Sequence, residues 1–138
     1  MSIQAIESAL LLKLTTLNPG IAIVHEGEPY TPSDNTPYLR VEFIPNETPA
    51  TGQEAGQDAP VREAGLLQLT PVYPVASGPG PLKAMNSVLK TAFKWKQTVQ
   101  AVGFKVRIDR CSRGRLVSDA GWNSLPVIVR WSAHTPGD

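Results

Sequence analysis

Nucleophiles, general bases and metal ligands are sparse in this sequence, and they are not grouped. His25 and His134 are its two histidines. Neither belongs to an HExxH, a paired CxxC or a carboxylate cluster at metal-ligand spacing. Cys111 is the single cysteine, so an intrachain disulfide is impossible. Arginines in RCSRGR could lower its thiol pKa, but no histidine lies nearby to act as a base, and a passive thiol is expected. SGPGP, with Gly78 and Gly80, lacks the GxxxxGK[ST] spacing that cradles phosphate, and its prolines remove backbone donors. GWNSL holds a serine outside any GxSxG elbow. NET, at 46–48, is a glycosylation sequon that matters only in a secreted chain. FKWK interleaves Lys94 and Lys96 with Phe93 and Trp95, a pattern used on single-strand nucleic-acid surfaces. The competing reading gives Phe93 to a helix core and Trp95 to the segment after it. No enzyme, cofactor or metal site is expected.

Charge is distributed unevenly along the chain. Between positions 26 and 63 the acids are Glu26, Glu28, Asp34, Glu42, Glu47, Glu54, Asp58 and Glu63, opposed by Arg40 and Arg62 alone. Between 83 and 130 the bases are Lys83, Lys90, Lys94, Lys96, Lys105, Arg107, Arg110, Arg113, Arg115 and Arg130, against Asp109 and Asp119. Two ordinary solvated faces would produce this pattern. So would a bipolar subunit whose acidic and basic sides meet in a head-to-tail oligomer. The net charge of +1 gives no reason to expect an overall nucleic-acid binder.

The elements that must carry these residues follow from periodicity. Ile3, Ile6, Leu10, Leu14 and Leu17 recur at helical spacing, with Ser2 as a cap and NPG as the stop. IAIVH is a short apolar strand. In YLRVEFIP, Leu39, Val41 and Phe43 alternate with Arg40 and Glu42; in GLLQLTPVYP, Leu67 and Leu69 alternate with Gln68 and Thr70. Pro71 and Pro74 disfavour continuation as a central strand. Leu82, Met85, Leu89 and Phe93 form a second helical stripe. KVRID and PVIVRW are further strands, joined by the stretch RCSRGRLVSDAGWNSL, with Trp131 closing the last of them as a core residue. The expected fold is a single α+β domain over residues 1–138. It is a mainly antiparallel sheet with two helices packed on one face and a long β-hairpin arm. The arm, residues 46–65, is expected to be flexible, and residues 133–138 are expected to form a C-terminal tail.

A chain of 138 residues with 41% hydrophobic and 18% charged content can build a core without disulfides or metals. MSIQAIESALLLKL has no basic n-region and carries Glu7 within its apolar run, so neither a signal peptide nor a membrane span is expected. A reducing cytosol is the expected place of synthesis.

The order of features from Tyr38 onward resembles a known family. Arg40, Pro45, Thr48 and Pro49 mark an arginine-bearing strand and a proline-containing arm, and Gly65, Leu66 and Gln68 begin the next strand. Gly78 and Gly80 mark a glycine turn, and Phe93 ends a helix. Trp122, Pro126, Val127 and Trp131 form a terminal W…P-V…W strand. In this order the motifs resemble the DUF4128-like, lambda-type tail terminator (tail completion) proteins of long-tailed bacteriophages. The resemblance covers roughly the last hundred residues. KWKQ stands where the family often has a glycine, and GQEAGQDAP makes the arm longer than the family pattern.

The resemblance implies a structural role in the virion, with assembly in the host cytoplasm. Such a protein forms a ring, typically of six copies, on the last disc of the tail tube. It stops polymerisation and presents a surface to the head-completion protein at the connector, while DNA passes through the lumen without specific binding. No membrane is involved. The partners would be self, the tail tube protein and the head-completion protein. Candidate interface residues are Arg40, Asn46, Glu47, Thr48, Glu54, Asp58, Arg62, Glu63, Trp95, Arg110, Arg113, Arg115 and Trp122. The arm would order on docking to the tube or a neighbour; an inert surface loop is the competing reading. Two alternative functions remain at this stage. One is another neck or tail component, a head–tail joining protein or a tube subunit. The other is a small nucleic-acid-binding module using Lys94, Trp95, Lys96, Lys105, Arg107 and Arg110.

Overall fold

Ile6, Leu10 and Leu14 follow one another at four-residue spacing and are fully buried, which fixes the inner face of helix α1 (Ile3–Leu17). Asn18, with φ of 50°, turns the chain out of the helix, and Pro19 cannot rejoin its ladder. These coordinates come from a computed structural model that describes residues 3–32, 35–46, 61–101 and 103–135. After α1 come β1 (Ala22–His25), β2 (Tyr38–Asn46), β3 (Val61–Pro74), a 3-10 turn at Val75–Ser77 and α2 (Pro79–Ala92). Then follow β4 (Thr98–Ala101), β5 (Phe104–Arg113), β6 (Val117–Asp119), β7 (Trp122–Ser124) and β8 (Val127–Thr135). Helix α2 opens with Pro79 after Gly78, where the absent proline N–H costs nothing because first-turn donors have no intrahelical acceptor.

The strands form one sheet in the order β1-β2-β3-β8-β5-β4. The β6–β7 hairpin attaches through β7 to the end of β3. Pairing is antiparallel except for β1 beside β2. Leu39, Val41 and Phe43 of β2 share one sheet face with Leu67 and Leu69 of β3 and with Val127, Val129 and Trp131 of β8. Ile6, Leu10 and Leu14 from α1 and Leu89 and Phe93 from α2 belong to the same core cluster. Both helices therefore cover one face, and the α+β single-sheet expectation holds. Trp131 stacks on Phe43 with ring centroids 5.3 Å apart and planes 4° from parallel. Beneath them Gly65 is obligatory: a Cβ there would stand 2.5 Å from the Ile44 carbonyl oxygen and 2.7 Å from the Trp131 ring. Asn86 is buried on α2, and its Nδ2 donates to the Leu125 carbonyl at 3.1 Å, fixing the helix to the entrance of β8.

Several boundaries differ from expectation. The two arm strands do pair antiparallel, from Tyr38↔Val72 to Asn46↔Ala64, but they run further than their apolar alternation suggests. Positions 61–65 belong to β3 and pair with β8, so they are strand and not arm. Residues 47–60 lie outside the described residues. The tail at 133–138 starts later than expected, because β8 continues through Thr135 opposite Val61. Pro71 and Pro74 do not stop β3. Pro71 faces the break where the chain passes from β7 to β8, and its carbonyl accepts the Leu125 N–H at 3.4 Å. Pro74 lies beyond Tyr38, where β2 begins, so neither proline is asked for a ladder hydrogen bond. Three strands carried weaker signals. Strand β4 is only four residues long, and β6 and β7 turn through Ala120 and Gly121, both at positive φ, without an Asn-Gly or Asp-Gly pair.

Candidate interaction surfaces

The second face of the sheet receives neither helix. Strand alternation places Arg40, Glu42 and Ile44 of β2 there, with Leu66, Gln68 and Thr70 of β3 and Ile128 and Arg130 of β8. On β5 a register shift between Ile108 and Arg110 changes the alternation. Ile108 opposes Trp131 and Cys111 opposes Val129, both on the core side, while Arg110 opposes Arg130 on the helix-free side. An uninterrupted strand would have turned Arg110 toward the core with Ile108. The bulge at Asp109 is what exposes it.

One corner of this face is apolar. Val24, Tyr38 and Val72 cluster there against Trp122, whose ring meets Tyr38 edge-on at 5.8 Å. Tyr30 lies against Tyr38 at 4.9 Å, and the Arg40 guanidinium lies over the Tyr38 ring at 5.9 Å. Arg40 thereby separates two depressions. One, of about 330 Å³, is lined by His25, Glu26, Glu28, Tyr30 and Glu42 among others; the second, of about 240 Å³, by Thr70, Asp119 and Trp122 among others. Glu26 and Glu28 are fixed by backbone donors: Phe43 N–H donates to Glu26 Oε1 at 2.9 Å, and His25 N–H donates to Glu28 Oε1 at 2.8 Å. Strand β1 stops at His25, so the Glu26 carboxylate takes the donor that a continuing strand would have taken. Pro45, two residues on, presents no N–H at all. The β2 edge is thus blunted against strand addition.

The basic side lies along β5 and β8. Lys105, Arg107, Arg110 and Arg130 are exposed, and Arg107 pairs with Asp109 at 3.4 Å. Arg113 and Arg115 are exposed at the far end of β5. Cys111, half-buried, has its thiol pKa pushed up by burial, with Lys90 pulling the other way. The nearby arginines do not activate it, and the passive reading stands.

On the helix side, an apolar groove follows α1 beside β4. Its two segments, about 590 and 450 Å³, share Ala9, Leu12 and Gln100, and Leu12 is 65% exposed. Trp95 is 61% exposed after α2, with Lys96 Nζ 4.5 Å above its ring. The Lys96 N–H donates to the Ile108 carbonyl at 3.0 Å, which holds this loop beside β5.

The candidate residues are therefore dispersed. Arg40, Trp122 and Arg110 share the helix-free face, and Asn46 ends β2 opposite Ala64. Arg62 pairs with His134 on β3 and β8, and Glu63, half-buried, opposes Ala133. Glu47, Thr48, Glu54 and Asp58 lie outside the described residues. The pairing of Arg130 with Arg110 and the edge position of Glu26 were not legible, since the first depends on the bulge in β5 and the second on where β1 stops. Among the described residues there is no group of three metal-ligating side chains, and no helix is long and apolar enough to cross a membrane.

A solved protein structure without a descriptive name superposes with a TM-score of 0.79 at 21% identity, covering 96% of each chain. A chain of the virion of a native gene transfer agent particle superposes at 0.61 with 14% identity over 93% of each chain. These likenesses establish the fold. No curated protein matches the sequence. The family described as phage tail terminator protein matches residues 5–131. With nearly its whole length matched, the chain belongs to the phage tail terminator family, and it is a structural protein of the phage tail and a component of the virion.

Proposed function

We infer that the protein caps the tail tube as a closed ring, ends tube polymerisation and presents the surface that the head-completion protein joins. The observation that carries this reading is the family match across residues 5–131, which takes in both helices and nearly the whole sheet. The architecture supports it. A two-layer fold with an uncovered sheet face, an apolar groove along α1 and charge of opposite sign in different places offers several separate contact surfaces on one small subunit. A ring subunit between a tube and a connector needs four: two for its neighbours, one for the tube and one for the head. The ring has six copies, DNA passes through its lumen without sequence-specific contact, and assembly takes place in the host cytoplasm. The protein works by surface complementarity, with no catalysed reaction.

Native mass across a concentration series, with negative-stain images of the same samples and of samples mixed with tail tubes, tests this reading. A closed ring, free or on tube ends, is the expected result. Open filaments of the purified protein would assign it instead to the tube, and tubes that continue to grow in its presence would refute capping.

A further inference from the structure

Arg110 and Arg130 are direct cross-strand partners on the helix-free face, and both are exposed. Like charges directly opposite weaken a sheet. Asp109, the acid adjacent in sequence, is engaged by Arg107, and no described carboxylate forms an ion pair with Arg110 or Arg130. An isolated subunit gains nothing from this arrangement.

Across the same face the sign reverses. Glu42 stands on β2, and with Glu26 and Glu28 it lines the 330 Å³ depression at the β1–β2 edge, where these carboxylates outnumber Arg40, whose guanidinium lies over the Tyr38 ring. In the sheet order, β2 and β5 are separated by β3 and β8, roughly 14 Å at the usual strand spacing. Between the two charged sides lie Ile44, 38% exposed, with its partner Leu66, and Ile128 opposite Gln68. An apolar centre with polar flanks is the usual anatomy of a protein–protein contact. The fold has converted an acidic first half and a basic second half of the sequence into opposite sides of one surface.

We propose that this helix-free sheet face is the contact between neighbouring copies, the Arg107–Arg110–Arg130 side of one receiving the Glu26–Glu28–Glu42 edge of the next. A nucleic acid would be drawn to the arginines but repelled by the carboxylates on the same face, whereas two neighbouring copies, one at each side, satisfy both. Two different patches meet, so the contact is head-to-tail, and closure into a ring follows when its rotation allows. The proposal rests on the capping reading for closure on a tube; the pairing of the two sides does not.

The test exchanges the charges. Arg110→Glu with Arg130→Glu in one chain, and Glu42→Lys in another, should each weaken self-association about tenfold or more, read by native mass with and without tail tubes. An equimolar mixture should regain association, because each chain then meets a partner whose charges are again opposite. Recovery in the mixture also shows that both chains are folded; if the double glutamate variant does not fold, Arg110→Gln with Arg130→Gln replaces it and should weaken association in the same direction. Wild-type-like association of the arginine variants, a mixture no better than its components, or a wild-type chain that stays monomeric even with tubes would overturn the proposal. So would loss of oligonucleotide binding with self-association unchanged. Tube length, scored separately by electron microscopy, distinguishes the two readings. Capping at wild-type efficiency by the arginine variants overturns this contact and leaves the cap. Charge-swap rescue of association without any capping supports the contact and removes the cap.

Discussion

Trp131 and Arg130 are adjacent in the chain and opposite in every physical respect. Trp131 is 1% exposed, stacked on Phe43 and set over Gly65, on the face that both helices cover. Arg130 points out of the same strand onto the helix-free face, opposite Arg110. The covered face accounts for the stability of the subunit: its apolar side chains leave water together, at about 1.5–3 kcal/mol each. The uncovered face buries only the small Val24–Tyr38–Val72 corner and carries like charges, Arg110 and Arg130, directly opposite each other. One strand thus serves folding with one set of alternate residues and leaves the other set, Ile128 and Arg130, for the proposed contact.

This division can be broken at defined points. Replacement of Trp131 by alanine should cost about 3–5 kcal/mol, as for large core aromatics, and should appear as a large fall in the denaturant midpoint with an unchanged slope. Gly65→Ala should destabilise by about 1–3 kcal/mol, because the added methyl meets backbone atoms of Ile44 and Pro45 that cannot rotate away. Thermal unfolding would show it; a neutral substitution there would mean that the two strands separate easily at the base of the arm. Arg130→Gln, one residue from the first site, should change monomer stability by no more than about 0.5 kcal/mol, since it removes only an exposed like-charge neighbour. A large loss of monomer stability would show that the helix-free face contributes to folding after all.

The smallest effect concerns pH. Burial raises the Cys111 thiol above its ordinary 9.0, so the folded chain holds a proton that the unfolded chain releases once the pH passes 9. Stability from this group is complete below pH 9 and declines as the pH rises beyond it. Cys111→Ser should flatten that decline in chemical denaturation measured over alkaline pH, and an unchanged decline would point to other groups.

Much of the covered face was legible in the sequence. The four-residue spacing in α1 and the alternation in YLRVEFIP, GLLQLTPVYP and PVIVRW arise directly from which side chains must leave water, and these elements all formed, with β2, β3 and β8 running longer than read. The β2–β3 pairing was legible too, but not its extent. Positions 61–65 lack a strong apolar alternation and are held in strand by β8 on their other side, a long-range partner that no local window contains. The same reason explains why Pro71 and Pro74 were misjudged: proline is excluded only where a neighbour needs its N–H, and neighbours are a property of the sheet.

The charged residues divide in the same way. Their types and the separation of acid from base along the chain are fixed by the sequence, because charge is carried by residue identity and needs no geometry. Which charges share a face was decided only in three dimensions. The register shift at Asp109 rotates Arg110 out of the core and opposite Arg130, and the sheet order sets Glu42 on the far side of the same surface. A one-residue slip in either strand would exchange the faces, since side chains alternate with a period of two. Sequence determined what this protein can bury and what charge it can display; strand register, settled by contacts distant along the chain, decided which of those charges stand together.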